Sequence, residues 1–312
     1  MDEQRDERGQ PGGSIPGTNS PAFTLHLPPG APLPVLIAVP HAGRDYPDDL
    51  LARMRDSTVS ALRLEDRHAD VLGKAIARST GAGLLVAHAP RAMLDLNRSA
   101  DDMDWSMVAD SAPPSGTRHS LANRRARGGL GIVPRRLPGH GEIWKRRMER
   151  GDLENRLAGI HQPYHAALRG ALHQLRDRWG AALLVDLHSM PPLPARTGGR
   201  PGAEFVIGDR FGASCDRALV AAAFSYLEAQ GRQAAHNRPY AGGFVLDHHA
   251  APARGIHALQ IEVCRSSYLD GRLLEPSGRA AGVARLLSGL VRLLANEVAS
   301  IARPGRFGLA AE

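Results

Sequence analysis

Cysteine is scarce: Cys215 and Cys264 are the only two in 312 residues, far apart and outside any CxxC or CxxH pattern. That argues against a disulfide framework and a thiolate zinc site, and leaves both as small buried hydrophobes. Aromatics make up only 4% of the chain. A core must therefore be built from Leu, Ala, Val and Ile, and the basic clusters lack the interleaved rings on which nucleic-acid bases stack. No apolar run approaches the roughly 18–20 residues that span a bilayer, and the first residues lack the apolar stretch of a signal peptide. The expectation is a soluble, cytoplasmic protein with no membrane partner. Residues 1–30, rich in Gly, Pro, Ser and charge, read as a disordered tail; residues 31–312 read as a single domain.

The formal charge is +7 and the pI about 10.1. Basic residues cluster in Arg118–Arg136 and Lys145–Arg150. Such a balance suits nucleic acid or a small anionic substrate, and the lack of aromatics weighs against the first.

Short apolar runs alternate with helical patterns. Pro34–Pro40, Gly83–Ala87, Ala182–Leu187, Ala203–Gly208 and Gly255–Val263 read as strands; Ser57–Ser79, Asp152–Trp179, Ser214–Gly231 and Pro276–Ala302 read as helices. Ser99–Pro138 reads mostly as loop. The alternation implies an α/β fold in three layers, a mixed, mostly parallel sheet with helices on both faces. Sites in such folds lie at the carboxyl ends of strands.

Polar residues at those ends carry the chemistry. His41 follows PVLIAVP, with Gly43 allowing a tight turn, and His188 follows ALLVDL. Two imidazoles and a carboxylate are the donors of a catalytic metal site with an open position for water. The acidic segment Glu65–Asp70 offers the third donor. Glu262 stands in the apolar strand LQIEV, where a carboxylate is costly without a task or partner; it is the candidate general base. Arg91 and Arg98, flanking Asp95 and Asn97, suit capture of a carboxylate. Asn237 and Gly243, in the turn-rich NRPYAGGF, are further substrate-binding candidates. His248 and His249, read as strand neighbours, would face opposite ways, so at most one enters the pocket.

In this order, PHAG at His41, EDRHAD at Glu65–Asp70, RAMLDLNR at Arg91–Arg98, QPYH at Gln162–His165, DLHS at Asp186–Ser189, GASC at Gly212–Cys215, NRPYAGGF and QIEV at Gln260–Val263 resemble the N-formylglutamate amidohydrolase family. The resemblance runs from about Val35 to Tyr268. It implies a catalytic domain with a fold like that of zinc carboxypeptidases and aspartoacylases, and an amidohydrolase in which zinc-activated water attacks N-formyl-L-glutamate to give glutamate and formate, a step of histidine catabolism. It makes His41 and His188 zinc ligands and Glu262 the base. Asn97 and Arg98 become substrate anchors, with Arg91 a second anchor, and one of the two arginines assists the oxyanion. Zinc carboxypeptidases and aspartoacylases carry a glutamate three residues after the first ligand histidine; here Arg44 stands there, and Asp66 is the expected substitute, with His68 and Asp70 as rivals. Arg67 replaces a common aromatic. Zinc is the expected metal, with cobalt equally suited to such donors. Two other readings are a deacylase of another N-acyl amino acid or small peptide, and an inactive, basic nucleic-acid-binding protein.

Overall fold

The computed structural model describes residues 9–109, 126, 128–195 and 201–302. Ten strands fall within them: β1 (Gln10–Gly12), β2 (Phe23–His26), β3 (Val35–Val39), β4 (Gly83–Ala87), β5 (Arg136–Leu137), β6 (Gly141–Glu142), β7 (Ala182–Met190), β8 (Phe205–Gly208), β9 (Ala234–His236) and β10 (Ile256–Cys264). Eight of them form one sheet in the order β1-β2-β4-β3-β7-β10-β8-β9, and β5 pairs with β6 apart from it. The central strands β4, β3, β7 and β10 run parallel. Antiparallel β2 and β8 flank them.

The strands are buried on both faces, so residues of alternating parity feed two cores. Val35, Ile37 and Val39 of β3, Leu183, Val185 and Leu187 of β7, and Leu259, Ile261 and Val263 of β10 join one core. It is covered by α3 (Ala69–Thr80), α6 (Arg217–Ala229) and α9 (Ala280–Ile301) through Leu72, Leu219 and Leu290. Leu36, Ala38, Leu184 and Ala258 face the other way, against Tyr164, Leu168 and Leu172 of α5 (Gln162–Trp179). This is the mixed α/β sheet, mostly parallel, with helices on both sides, that the sequence pattern implies. No helix among the described residues is long and apolar enough to cross a membrane.

Two sequence readings need correction. The tail through residue 30 is ordered from residue 9: β1 and β2 extend the sheet past β4, and Ile15, Ala22 and Phe23 are buried. Edge strands are held by backbone bonds that a Gly- and Pro-rich composition does not forbid, and Pro11 sits where only one neighbour needs pairing. Residues 1–8 and much of the Arg118–Arg136 cluster lie outside the described residues. His248 and His249 are not on a strand: they end the short helix α7 (Phe244–His249).

Candidate metal centre and active site

The parity that buries apolar side chains in the lower half of β7 and β10 delivers polar ones in the upper half. Asp186 and His188 share the face of Leu184, and Gln260 and Glu262 share that of Ala258. In the parallel register Gln260 stands beside Asp186 and Glu262 beside His188. His41 leaves the end of β3, Arg91–Arg98 follow the end of β4, and Asp66 sits in the turn between α2 (Ser57–Leu64) and α3. The site is thus built at the carboxyl ends of four adjacent parallel strands.

One donor atom each from His41, Asp66 and His188 lie within 4.8 Å of one another, all three residues buried. His188 Nδ1 is 2.9 Å from Asp66 Oδ2, and His41 Nδ1 is 3.6 Å from the same oxygen. The other nitrogen of each imidazole is held by its own carboxylate: His41 Nε2 lies 2.7 Å from Asp95 Oδ1, and His188 Nε2 lies 2.9 Å from Asp186 Oδ2. Carboxylate–histidine pairs of this kind orient a ligand ring and raise its basicity. His41 Nδ1 is buried without a hydrogen-bond partner, which is costly for a ring nitrogen unless a ligand engages it. The donor set and this orphaned atom fit a divalent cation.

Asp66 joins the histidines and its rivals do not. The backbone explains why: Asp66 N–H donates to His41 O at 2.8 Å, tying the two loops together. Asp70 is instead neutralised by Arg44 and Lys74, and His68 meets Glu275. Arg44, three residues after His41, therefore serves an ion pair. Gly43 is needed less for its turn than for space, since a Cβ there would lie 2.2 Å from Ala89 O.

Electrostatics keep the carboxylates of the cluster ionised. Burial would raise the Asp66 carboxyl, but the hydrogen bond to His188 and the nearby His41 imidazole hold it well below the ordinary carboxylate range. Asp95 is likewise kept ionised against burial, by Arg91, His41 and Arg98. Burial opposes charge on His188, yet Asp186 and Asp66 raise its pKa. Glu262 differs: burial dominates and pushes it up to about 7, with Asp66 adding to the rise and His188 and Arg91 opposing it.

The arginines are near the centre but already engaged. Arg91 Nε donates to Asp95 Oδ2 at 2.9 Å; Arg98 Nε donates to Leu130 O at 3.0 Å and lies 4.0 Å from Asp95 Oδ2. Asn97 and Asn237, expected to bind substrate, spend their amides within the protein. Asn97 Oδ1 accepts from Val245 N–H at 2.9 Å and Nδ2 donates to Gln260 Oε1 at 3.3 Å. Asn237 exchanges two bonds with Asp209. Gly243 has no room for a side chain because Asn97 Oδ1 would lie 2.6 Å from its Cβ.

Residues missed in the sequence complete the surroundings. Arg265, just past β10, donates to Ser189 Oγ at 3.1 Å and lies 3.5 Å from Asp66 Oδ1, facing the oxygen turned away from the histidines. Asp186 was legible in principle: two residues before His188 on one strand, it must share its face. Farther out, His165 Nδ1 lies 2.9 Å from His249 Nε2, in a ring cluster with Phe244 and His248. Burial, helped by neighbouring histidines, lowers His165 to about 2 and His249 to about 3. Folded-state pKa values below the unfolded one mean that stability is complete above about pH 6.5 and is lost as pH falls from there toward 3. The melting temperature should drop over that window, and less so in His165→Phe; an unchanged acid slope in that variant would exclude the pair as its source.

Residues 33–269 match the sequence profile of N-formylglutamate amidohydrolase. The N-formylglutamate deformylase of Pseudomonas putida is 32% identical over 243 residues, 76% of this chain and 82% of the relative. That of Pseudomonas aeruginosa is 29% identical over 266 residues, 84% and 91% of the two chains. The crystal structure of N-formylglutamate amidohydrolase from Ralstonia eutropha JMP134 superposes with a TM-score of 0.78 at 32% identity, covering 89% of this chain and 98% of that one. A protein from Agrobacterium tumefaciens, 17% identical, shares the fold with a TM-score of 0.64 over 89% of this chain and 96% of its own. On the breadth of these matches, this chain belongs to the N-formylglutamate amidohydrolase family.

Proposed function

We propose that this protein is a metal-dependent amidohydrolase that cleaves N-formyl-L-glutamate to glutamate and formate. The observation that carries the reading is the convergence of His41, Asp66 and His188 on one point beside Glu262, in a chain whose relatives are N-formylglutamate deformylases. His41 Nδ1, His188 Nδ1 and Asp66 Oδ2 would hold the cation, zinc or cobalt. When bound, it supplies Lewis-acid polarisation of the scissile carbonyl and lowers the pKa of water toward about 7.

The protein's own groups do the rest. Glu262, poised near neutrality by burial, takes the proton from the attacking water and passes it to the leaving nitrogen. Arg91, held by Asp95 beside the centre, faces the charge that develops on the carbonyl oxygen. Arg98 anchors a substrate carboxylate and so fixes the formyl group relative to the base. The low exposure of the metal donors and of Glu262 excludes bulk water and strengthens every one of these interactions.

The test is formate release from N-formyl-L-glutamate, with metal stoichiometry measured on the same sample. Turnover with one divalent ion per chain, lost on chelation and restored by zinc or cobalt, is expected; turnover indifferent to chelation would remove the metal. Arg98→Ala should raise KM for N-formyl-L-glutamate by about 10–100-fold, the loss of a charge-assisted anchor worth roughly 1.5–3 kcal/mol. Neutral N-formyl amino acids should be little affected by that variant. Equal KM changes for acidic and neutral substrates would remove Arg98 as the anchor.

A further inference from the structure

Glu262 is a single carboxylate on a crowded face, and its effectiveness as a base depends on where its oxygens point. Its side-chain partner is Gln260, two residues earlier on the same face of β10: Gln260 Nε2 donates to Glu262 Oε1 at 2.9 Å. An amide fits the same space turned over, which would present its oxygen to the carboxylate and repel it. The structure contains the reason it does not.

The orientation is decided at a group that cannot be reversed. Val245 N–H is a backbone donor, and it takes Asn97 Oδ1 at 2.9 Å. Asn97 Nδ2 must then point the other way, where it finds Gln260 Oε1 at 3.3 Å. That leaves Gln260 Nε2 for Glu262. Each step has one polarity because an amide has one accepting and one donating end. Asn97, Gln260 and Glu262 are all buried, so no solvent is at hand to satisfy a reversed amide, and a broken link strands polar groups at full cost.

The same asparagine reaches the metal side. Its backbone N–H donates to Asp95 Oδ1 at 2.8 Å, the oxygen that also holds His41 Nε2 at 2.7 Å. One residue thus ties the orientation of a metal-donor imidazole to that of the base.

We propose that Gln260 and Asn97 are positioning residues that set the direction of the Glu262 carboxylate through the one-way relay Val245 N–H, Asn97, Gln260, Glu262. Asn97 acts in this enzyme as a strut between the Arg91–Arg98 loop, the start of α7 and the base. This rests on the reading of Glu262 as the base.

Gln260→Met keeps the length of the side chain and removes both bonds. Formate release from N-formyl-L-glutamate should show kcat reduced about 10–100-fold, KM within about threefold, and metal stoichiometry unchanged. In a Glu262→Gln background the same substitution should cost nothing more, because its effect passes through the lost carboxylate. Asn97→Asp is the second probe. It keeps an acceptor for Val245 N–H, puts an acceptor where Nδ2 was, and turns the Gln260 amide over, so it should lower kcat in the same manner. Should Gln260→Met fold poorly, as judged by its melting temperature, Asn97→Asp in the two backgrounds decides alone. Normal kcat in a folded variant, or a full additional loss in the Glu262→Gln background, overturns the relay. Near-normal turnover of Glu262→Gln itself would instead overturn the assignment of the base. The two failures are therefore distinguishable.

Discussion

Glu262→Gln should cut kcat by at least about 100-fold while leaving metal content and fold intact, the scale on which a general base contributes. The substitution is nearly isosteric, and its remaining carbonyl can still accept from Gln260 Nε2, now 2.9 Å from Glu262 Oε1. What disappears is the ability to take a proton. The pH profile of the unmutated enzyme gives a second readout. Glu262 is pushed up to about 7 by burial, and a cation at the neighbouring donors pulls it down from there. The basic, working form exists above the pKa, so kcat/KM should fall about tenfold per pH unit below a limb at or under about 7. Formate release measured from pH 5 to 8 on both proteins checks this. Retained turnover in the variant, or an acid limb that survives it unchanged, would remove Glu262 from proton transfer.

His188→Ala should have two effects of different origin. It deletes a proposed metal donor, so metal affinity should fall by more than the roughly 10–100-fold that loss of an outer partner costs, and activity should fall with it. It also strips two buried carboxylates of a shared partner: Asp66 and Asp186 each lie 2.9 Å from the His188 ring, and both are almost fully buried. Removing one member of a buried charged pair costs about 3–5 kcal/mol because the other stays behind uncompensated. Urea denaturation of metal-free protein isolates this second effect. An unchanged midpoint there would mean that the carboxylates find other partners; one full equivalent of tightly bound metal would mean that His188 is not a donor.

What could be read beforehand divides along the range of the interactions. Strands β3, β7 and β10 announce themselves by apolar runs, and the histidines at the upper ends of β3 and β7 are visible in PHAG and DLHS. The choice of Asp66 over His68 and Asp70 depends on a backbone bond to His41 O, between loops that no local pattern joins. The amides of Asn97 and Asn237 show the same limit. Residue type says that each can bind something; only the fold reveals that Asn97 is taken by Val245, far along the chain. That bond also explains the misreading of His248 and His249. The short helix they end has its start held by Asn97, a cap absent from its own neighbourhood in the sequence. The early strands β1 and β2 were hidden by composition, since backbone pairing to β4 asks little of their side chains.

The alternation along β7 and β10 carries a consequence for how this enzyme can change over time. Odd-numbered residues 183–187 and 259–263 pack against helices, while even-numbered 186, 188, 260 and 262 face the candidate site. In the upper halves of these strands packing and the candidate site thus lie on opposite sides of one ribbon, and point substitutions there can tune either while sparing the other. Insertions and deletions have no such freedom. Adding one residue ahead of Gln260 would exchange the two sides at once, turning Glu262 into the helix layer and Ile261 toward the His41–Asp66–His188 cluster. Descendants of this chain should vary in the loops between strands and hold the length of these two segments fixed.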